Sequence, residues 1–187
     1  MTREQFWALV EQTLRDAEVL RPPRRGLLRR EVVLRPGERH VLALEQRLAA
    51  LSDDDLAAFQ AHLDALRDEA YDWGVWGAGY VACGGMSDDS FTDFRTWLVS
   101  QGRAAYERVL ADPDALALVA PPDLDDRVGD AEGWGYVALE VWDGRRPDEM
   151  PRPAFGAGAE PRGEPFPEDD ADALARRYPR LSARSGA

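Results

Sequence analysis

Residues 71–102 read YDWGVWGAGYVACGGMSDDSFTDFRTWLVSQG, a stretch in which aromatic residues are interleaved with glycines. At about 100 degrees per residue, Trp73, Trp76 and Tyr80 fall on one side of a helix. An adjoining strip of small residues, which would let a neighbouring helix approach closely, is formed by Gly74, Gly77 and Ala78. The stretch therefore predicts a helix at the centre of the domain, with its aromatic face turned toward the core.

The end of this helix and the start of the next are marked by small residues. Gly84-Gly85 ends the first helix, and Ser87 caps the second, on which Phe91, Phe94 and Leu98 share a face. A phosphate-binding loop is the alternative interpretation of these glycines and of Ser87. The spacing and the preceding strand of known phosphate loops are missing, so helix capping is the predicted role.

Helical spacing continues on the N-terminal side of this centre. Thr2 and Gln5 form a capping box for a first helix over about residues 3–18. Two amphipathic helices follow, and the second of them begins where Ser52 precedes three aspartates, which favours a helix N-terminus. Between the first helix and these two, residues 31–37 are expected to form a brief extended piece before a turn.

On the C-terminal side the composition changes. A last core helix is predicted over residues 131–142. Beyond it, residues 144–167 hold many prolines, glycines and charges, which predicts an extended strap or a disordered tail, followed by a short helix near 167–177. The predicted fold is mostly α: a compact single-domain helical bundle over residues 1–143, with a long Pro/Gly-rich C-terminal extension over residues 144–187.

Charge and composition narrow the classes of partner. The chain has 35 acidic and 23 basic residues, a formal net charge of -12, which opposes binding to nucleic acid and to anionic membranes. No apolar run approaches the roughly 20 residues that cross a bilayer, and the N-terminus shows no secretory leader. The single cysteine, Cys83, cannot form an internal disulfide. These features together predict a cytoplasmic protein.

The central stretch also carries a family resemblance. Residues that closely resemble the central motif of the DUF4240 family are 71–80, 84–91 and 94–98. Matches at Phe6-Trp7 and at residues 112–116 extend the likeness over about residues 1–142. The resemblance implies a small helical bacterial domain, and it implies no established activity, substrate or cofactor. Where the family often has cysteine in the glycine loop this chain has Met86, which argues against thiol chemistry there.

The candidate ligand-binding residues lie in the same stretch and are Trp73, Trp76, Tyr80, Ser87, Asp88 and Arg95. Arg95 falls within the apolar stripe of its helix, so we expect it to be partly buried and to need a carboxylate or several carbonyl partners. One interpretation is an internal ion pair with Asp68, Asp72 or Asp88. The other is an anion clamp in a pocket lined by the aromatic residues, although such a stripe is more typical of a core.

The sequence gives little support for a metal site or for a catalytic arrangement of histidines. On a helix, Asp88, Asp89 and Asp93 would not converge on one ion, so we predict no metal and no cofactor. His40 and His62 have no neighbours in a recognisable catalytic arrangement, and His62 is expected at the surface. No catalytic residue can be named from these patterns.

Three functions follow as hypotheses. The first is a non-enzymatic binding or regulatory module that acts through a protein partner, because the chain is acidic, rich in aromatic residues and without a catalytic constellation. The second is a binding protein or enzyme for a small anionic molecule, with a pocket at the aromatic stripe and the glycine loop. The third is a structural adaptor in a larger assembly.

Overall fold

Helices make up the regular structure of the computed structural model, which describes residues 1–20, 34–152 and 160–185. The α-helices are α1 Arg3–Val19, α2 Pro36–Leu48, α3 Asp53–Glu69, α4 Trp73–Cys83, α5 Asp88–Ser100, α6 Arg103–Ala111, α7 Leu124–Asp143, α8 Ala171–Arg177 and α9 Pro179–Ser185. A short 3-10 helix, Pro113–Leu118, lies between α6 and α7. Over these described ranges no strand is present, and the predicted mostly-α fold is confirmed.

Side-chain caps begin several helices where the sequence predicts them. The Gln5 amide donates to Thr2 Oγ1 at 3.2 Å, and the Thr2 amide donates to Gln5 Oε1 at 2.7 Å, which completes the capping box of α1. Ser52 and Ser87 accept backbone hydrogen bonds at the starts of α3 and α5. Gly84 ends α4 with φ of 73°, the left-handed conformation that glycine adopts without steric cost.

Two boundaries differ from the expectation. Pro36 and Gly37 belong to the first turn of α2, so the expected turn there is wrong; proline suits that position because its missing N–H would have no helical partner. Of the rest of that expected piece, Leu34 and Arg35 precede the helix, with Arg35 extended, and residues 31–33 lie outside the described residues. Helix α7 begins at Leu124, seven residues early, because apolar residues before Ala131 already face the core.

Helix α7 lies at the centre of the bundle and packs against α5, α2 and α3, while α1 packs against α2. Its buried face places Trp134, Val137 and Ala138 in one continuous core with residues of α3 and α5. The approach of α5 to α7 is close at Gly135, where a Cβ would lie 3.2 Å from Thr96 Cγ2. A larger residue at this position would require the Thr96 side chain to move by a few tenths of an ångström.

The C-terminal residues 160–185 pack against α4. The Trp73 amide donates to the Arg162 carbonyl at 2.8 Å, and the Tyr178 hydroxyl donates to the Gly74 carbonyl at 3.0 Å. At Gly77, a Cβ would lie 2.3 Å from Tyr178 Oη. The strip of small residues thus leaves room for the ring of Tyr178. The predicted boundary between a domain over residues 1–143 and an extension over residues 144–187 stays a prediction.

Candidate functional site

The aromatic residues predicted on α4 form a stack that continues into α5. Trp73 stacks on Trp76 at 5.0 Å between ring centroids, and Trp76 stacks on Phe91 at 4.7 Å. Phe166 of the C-terminal segment contacts the rings of Trp73, Trp76 and Tyr80, the closest at 5.2 Å. Phe166 therefore covers this face in part, and the three rings are half-buried. The expectation that the aromatic side of α4 is turned toward the core is corrected, because the fully buried side carries the small residues.

The two candidate residues in the glycine loop act at the start of α5. Ser87 Oγ accepts a hydrogen bond from the Ser90 amide at 3.2 Å, and Asp88 is exposed in the first helical turn. The loop is joined to α4 by the Trp76 indole, whose Nε1 donates to the Met86 carbonyl at 3.1 Å. Ser87 thus caps α5, and Trp76 attaches the glycine loop to α4.

Arg95 is buried, with 9% of its surface exposed. Its guanidinium donates to the Arg67 carbonyl and to Thr92 Oγ1, both at 3.0 Å, and lies over the Tyr71 ring at 4.6 Å. The expected ion pair with Asp68, Asp72 or Asp88 is wrong, because no described carboxylate pairs with Arg95; Asp72 instead caps α4 by accepting from the Gly74 amide. Burial, and next the charge of Arg67, lower the pKa of Arg95. Ligand binding by the six predicted residues stays a prediction.

A separate cleft of about 320 Å³ lies between the C-terminal part of α1, the N-terminal part of α2, the end of α5 and the middle of α7. We call it the Arg39 cleft. Its walls include Arg39, His40, Trp97, Gln101 and Trp134. Its volume is at the lower end of the range for small-molecule sites, and its two tryptophans with a few polar groups match the usual lining of such sites.

His40 is buried on α2 and hydrogen bonded on one side only. Its Nε2 lies 3.0 Å from Thr13 Oγ1, and the Thr13 hydroxyl donates to the Val10 carbonyl at 2.7 Å. Burial lowers the pKa of His40 to about 4, so the imidazole is neutral near pH 7. Among the described residues, Nδ1 has no hydrogen-bond partner.

Two buried donors at the cleft have no hydrogen-bond acceptor among the described residues. Arg39 Nε is buried without an acceptor, and its guanidinium forms no ion pair with any described residue. Trp134 Nε1 is also buried without an acceptor. Unsatisfied buried donors are uncommon and costly, and both of these belong to residues that line the cleft.

The other charged residues at the cleft are mostly paired. Asp130 forms an ion pair with Arg35 at 2.8 Å, and Arg127 forms one with Asp123 at the same distance. The Asp130 carboxylate also lies against the first turn of α2, where a Cβ on Gly37 would meet it at 2.5 Å. The start of α2 therefore already has an anion beside it, and Arg39 is the cation that the cleft leaves available.

Sequence reasoning did not identify Arg39, His40 and Gln101 as site residues. One signal was present: His40, Leu44 and Leu48 are four residues apart, so a helix places them on one face, and all three are buried. Nothing in the sequence indicated that this face would meet Trp97 and Trp134. His62, expected at the surface, is half-buried, with Nε2 at 3.2 Å from the Met1 carbonyl.

The cysteine and the acidic groups show no reactive arrangement in the described ranges. Burial raises the pKa of the Cys83 thiol to about 11, which keeps it protonated near pH 7. Burial, together with the charge of Glu132, also raises the pKa of Asp93. Within those ranges no group of three histidine, cysteine or acidic side chains is arranged to hold a metal ion.

Comparison with known proteins assigns the chain to a family but assigns it no function. None of the described helices combines the length and the apolar character that crossing a membrane requires. Searches of the curated proteins and of the solved structures find no match to the chain. Residues 1–143, more than half of the chain, match the family model described as protein of unknown function (DUF4240). The resemblance seen in the central motif is thus confirmed, and the chain belongs to the DUF4240 family.

Proposed function

We propose that this protein binds a small organic anion in the Arg39 cleft and acts in the cytoplasm as a binding protein. The observation that carries the proposal is Arg39, which lines a cleft of mixed polar and apolar residues and has no anionic partner among the described residues. A charged group that is partly buried without a counter-ion is costly, and a bound anion would remove that cost. The proposal assigns no reaction.

The position of the cleft also favours a ligand. It is bounded by α1 and α2 from the N-terminal part of the chain and by α5 and α7 from later parts, all packed on one core. Rigid helices hold binding groups more precisely than loops do. The predicted site on α4, in contrast, has its rings partly covered by Phe166 and its arginine bonded to a backbone carbonyl.

A protein partner was the first expectation from the sequence, and it stays a prediction. The large apolar side chains that are exposed in the described ranges are Val19, Leu118 and Tyr136. They lie on α1, on the 3-10 helix and on α7. Single exposed apolar residues are normal on monomers, whereas a docking surface usually has a contiguous patch. Ligand binding is for this reason placed ahead of protein binding.

The test is a thermal-shift screen of the purified full chain with carboxylates, aromatic carboxylates and phosphate esters. A ligand present at about 100 times its Kd stabilises the folded state by about 2.7 kcal/mol, which raises Tm by about 5–10 °C in a chain of this size. The screen is repeated with Arg39→Gln, Arg95→Gln and, as the matched control, Arg108→Gln on the exposed face of α6.

The expected result is an anion whose stabilisation is lost in Arg39→Gln and kept in Arg95→Gln and Arg108→Gln. A hit that Arg95→Gln abolishes and Arg39→Gln retains would move the site to the aromatic stripe of α4. If no anion in the screen stabilises the wild-type chain, the binding function is rejected and a protein partner becomes the first hypothesis.

A further inference from the structure

The proton on His40 can be placed from its neighbours. The Thr13 hydroxyl has one hydrogen, and that hydrogen is donated to the Val10 carbonyl. The contact of 3.0 Å between Thr13 Oγ1 and His40 Nε2 therefore requires an N–H on Nε2. A neutral imidazole carries one N–H, so Nδ1 is a hydrogen-bond acceptor. Because His40 lines the cleft, a ligand that carries an O–H or N–H group offers Nδ1 a donor.

Gln101 adds a second acceptor at the cleft. Its Nε2 donates to the Trp97 carbonyl at 3.3 Å and to Ser100 Oγ at 2.9 Å. These bonds fix which end of the amide is the nitrogen and leave Oε1 as an acceptor without a described partner. The cleft thus presents two neutral acceptors in addition to the cationic donor of Arg39.

Arg39, a cation at the cleft without an ion-pair partner among the described residues, suits a carboxylate better than a phosphate. A guanidinium fork matches the planar carboxylate with two parallel hydrogen bonds. A phosphate dianion would usually use a helix N-terminus as well, but the first turn of α2 is already in contact with Asp130. Exposed Glu18 at the mouth also opposes a second negative charge on the ligand.

The walls of the cleft favour a planar ring. Trp97 comes from α5 and Trp134 from α7, and both indoles line the cleft. Aromatic rings pair favourably in offset or edge-to-face arrangements beyond the effect of apolar burial. A cavity of about 320 Å³ has room for a ligand with one ring system.

We propose that the ligand of the Arg39 cleft is an aromatic carboxylate that also carries a hydroxyl or N–H group. The carboxylate accepts from Arg39, the ring lies beside Trp97 and Trp134, and the added donor pairs with His40 Nδ1. This inference rests on the proposed binding function and narrows it to one chemical class.

Calorimetric titration of the full chain tests each group of the ligand in turn. The probes are the three hydroxybenzoate isomers, benzoate, phenol, cyclohexanecarboxylate and phenyl phosphate. We expect one hydroxybenzoate isomer to bind about tenfold more tightly than benzoate, the value of one added hydrogen bond. Phenol, cyclohexanecarboxylate and phenyl phosphate are each expected to bind at least about tenfold more weakly than that isomer.

Two variants assign the added donor to its acceptor. His40→Leu should abolish the preference for the hydroxybenzoate over benzoate, since the acceptor is removed and the carboxylate contact with Arg39 remains. Gln101→Leu, which removes the other acceptor, should keep that preference. If His40→Leu does not fold, the probe series on the wild-type chain still tests the donor requirement, because the preference over benzoate is measured without any variant. Arg39→Gln should weaken all the carboxylates.

The possible failures are distinguishable. Benzoate binding as tightly as every hydroxybenzoate isomer overturns the donor requirement, and tighter binding of cyclohexanecarboxylate or phenyl phosphate overturns the aromatic carboxylate class. In each of those cases the wider screen can still give an anion that depends on Arg39, which leaves the proposed function intact. The absence of any such anion rejects both.

Discussion

At the scale of single residues, Arg39 and His40 give the cleft opposite properties although they are neighbours in the chain. Arg39 supplies donors and a positive charge, whereas buried His40 is neutral and presents an acceptor at Nδ1. The difference arises from burial: it favours the neutral form of an imidazole, but a guanidinium stays charged in proteins.

The buried histidine predicts a pH dependence of stability. The pKa of His40 falls from an ordinary value of 6.5 to about 4 in the folded chain, so the unfolded chain binds more protons between these values. Stability therefore falls as pH decreases from 6.5 toward 4. Between pH 7 and pH 5 the loss from His40 is about 2 kcal/mol. His40→Gln should reduce the pH effect by that amount.

Urea unfolding of the wild-type chain and of His40→Gln at both pH values gives the measurement. The glutamine can still donate to Thr13 Oγ1, so the local hydrogen bond is kept while the titrating group is removed. An equal loss of stability in the two proteins would show that His40 is not held neutral by burial.

At the scale of elements, α4 illustrates how glycines set the distance between segments. Gly77 faces the C-terminal segment so closely that a Cβ would lie 2.3 Å from Tyr178 Oη and 2.9 Å from Phe166 Cγ. Gly129 on α7 is exposed, and a Cβ there meets nothing within 4 Å. The two helical glycines therefore differ in what surrounds them, although sequence propensity treats them alike.

The matched pair Gly77→Ala and Gly129→Ala should change stability in opposite directions. Gly77→Ala forces Tyr178 and Phe166 away from α4, and we expect a loss of about 1–3 kcal/mol in the free energy of unfolding. Gly129→Ala removes backbone freedom from the unfolded chain without a clash, and we expect a gain of about 0.5–1 kcal/mol. Chemical denaturation measures both, and a neutral Gly77→Ala would contradict the packing of the C-terminal segment.

At the scale of the whole molecule, residues 160–185 join the helical core through buried Asp114. Its carboxylate accepts hydrogen bonds from the Arg180 amide, the Leu181 amide and Arg180 Nε, at 2.9 to 3.0 Å. Burial alone would raise the pKa of Asp114, but these hydrogen bonds outweigh it and the pKa is lowered. The 3-10 helix thus holds the start of α9 to the domain.

Asp114→Asn is expected to loosen this attachment. An asparagine has one acceptor oxygen and no charge, so at least one buried N–H loses its partner and the unfolding free energy falls by about 1–3 kcal/mol. Hydrogen exchange should become faster in α8 and α9 and change little in α3. Asp123→Asn, at an exposed pair with Arg127, is the control and should leave exchange in α8 and α9 as it is. Unchanged exchange in the Asp114 variant would contradict the attachment.

Much of the helical pattern was predictable from local sequence. The capping box at Thr2 and Gln5, the caps at Ser52 and Ser87, and the end of α4 at Gly84 all depend on residues within a few positions of each other. The beginning of α7 was less predictable, because Gly129, Gly133 and Gly135 lower its intrinsic helix propensity. Packing against α2, α3 and α5 outweighs that preference.

The candidate site was harder to predict from local sequence than the helices were. Arg95 was expected to pair with a carboxylate, but the nearby backbone carbonyl of Arg67 and the ring of Tyr71 occupy its surroundings. The choice between these partners depends on how α3 and α5 cross. Arg39 and His40 were passed over, since their own neighbours in sequence carry no catalytic or ligand-binding pattern.

The sequence by itself determined the helical class, the main caps, the aromatic centre and the family, because these depend on local spacing and on the motif within residues 71–102. Only the tertiary structure decided that Phe166 partly covers the aromatic face and that Trp97, Trp134 and His40 meet around a cleft. These groups come from helices far apart in the chain. Their meeting depends on how side chains of several helices fill one core, which no local pattern records.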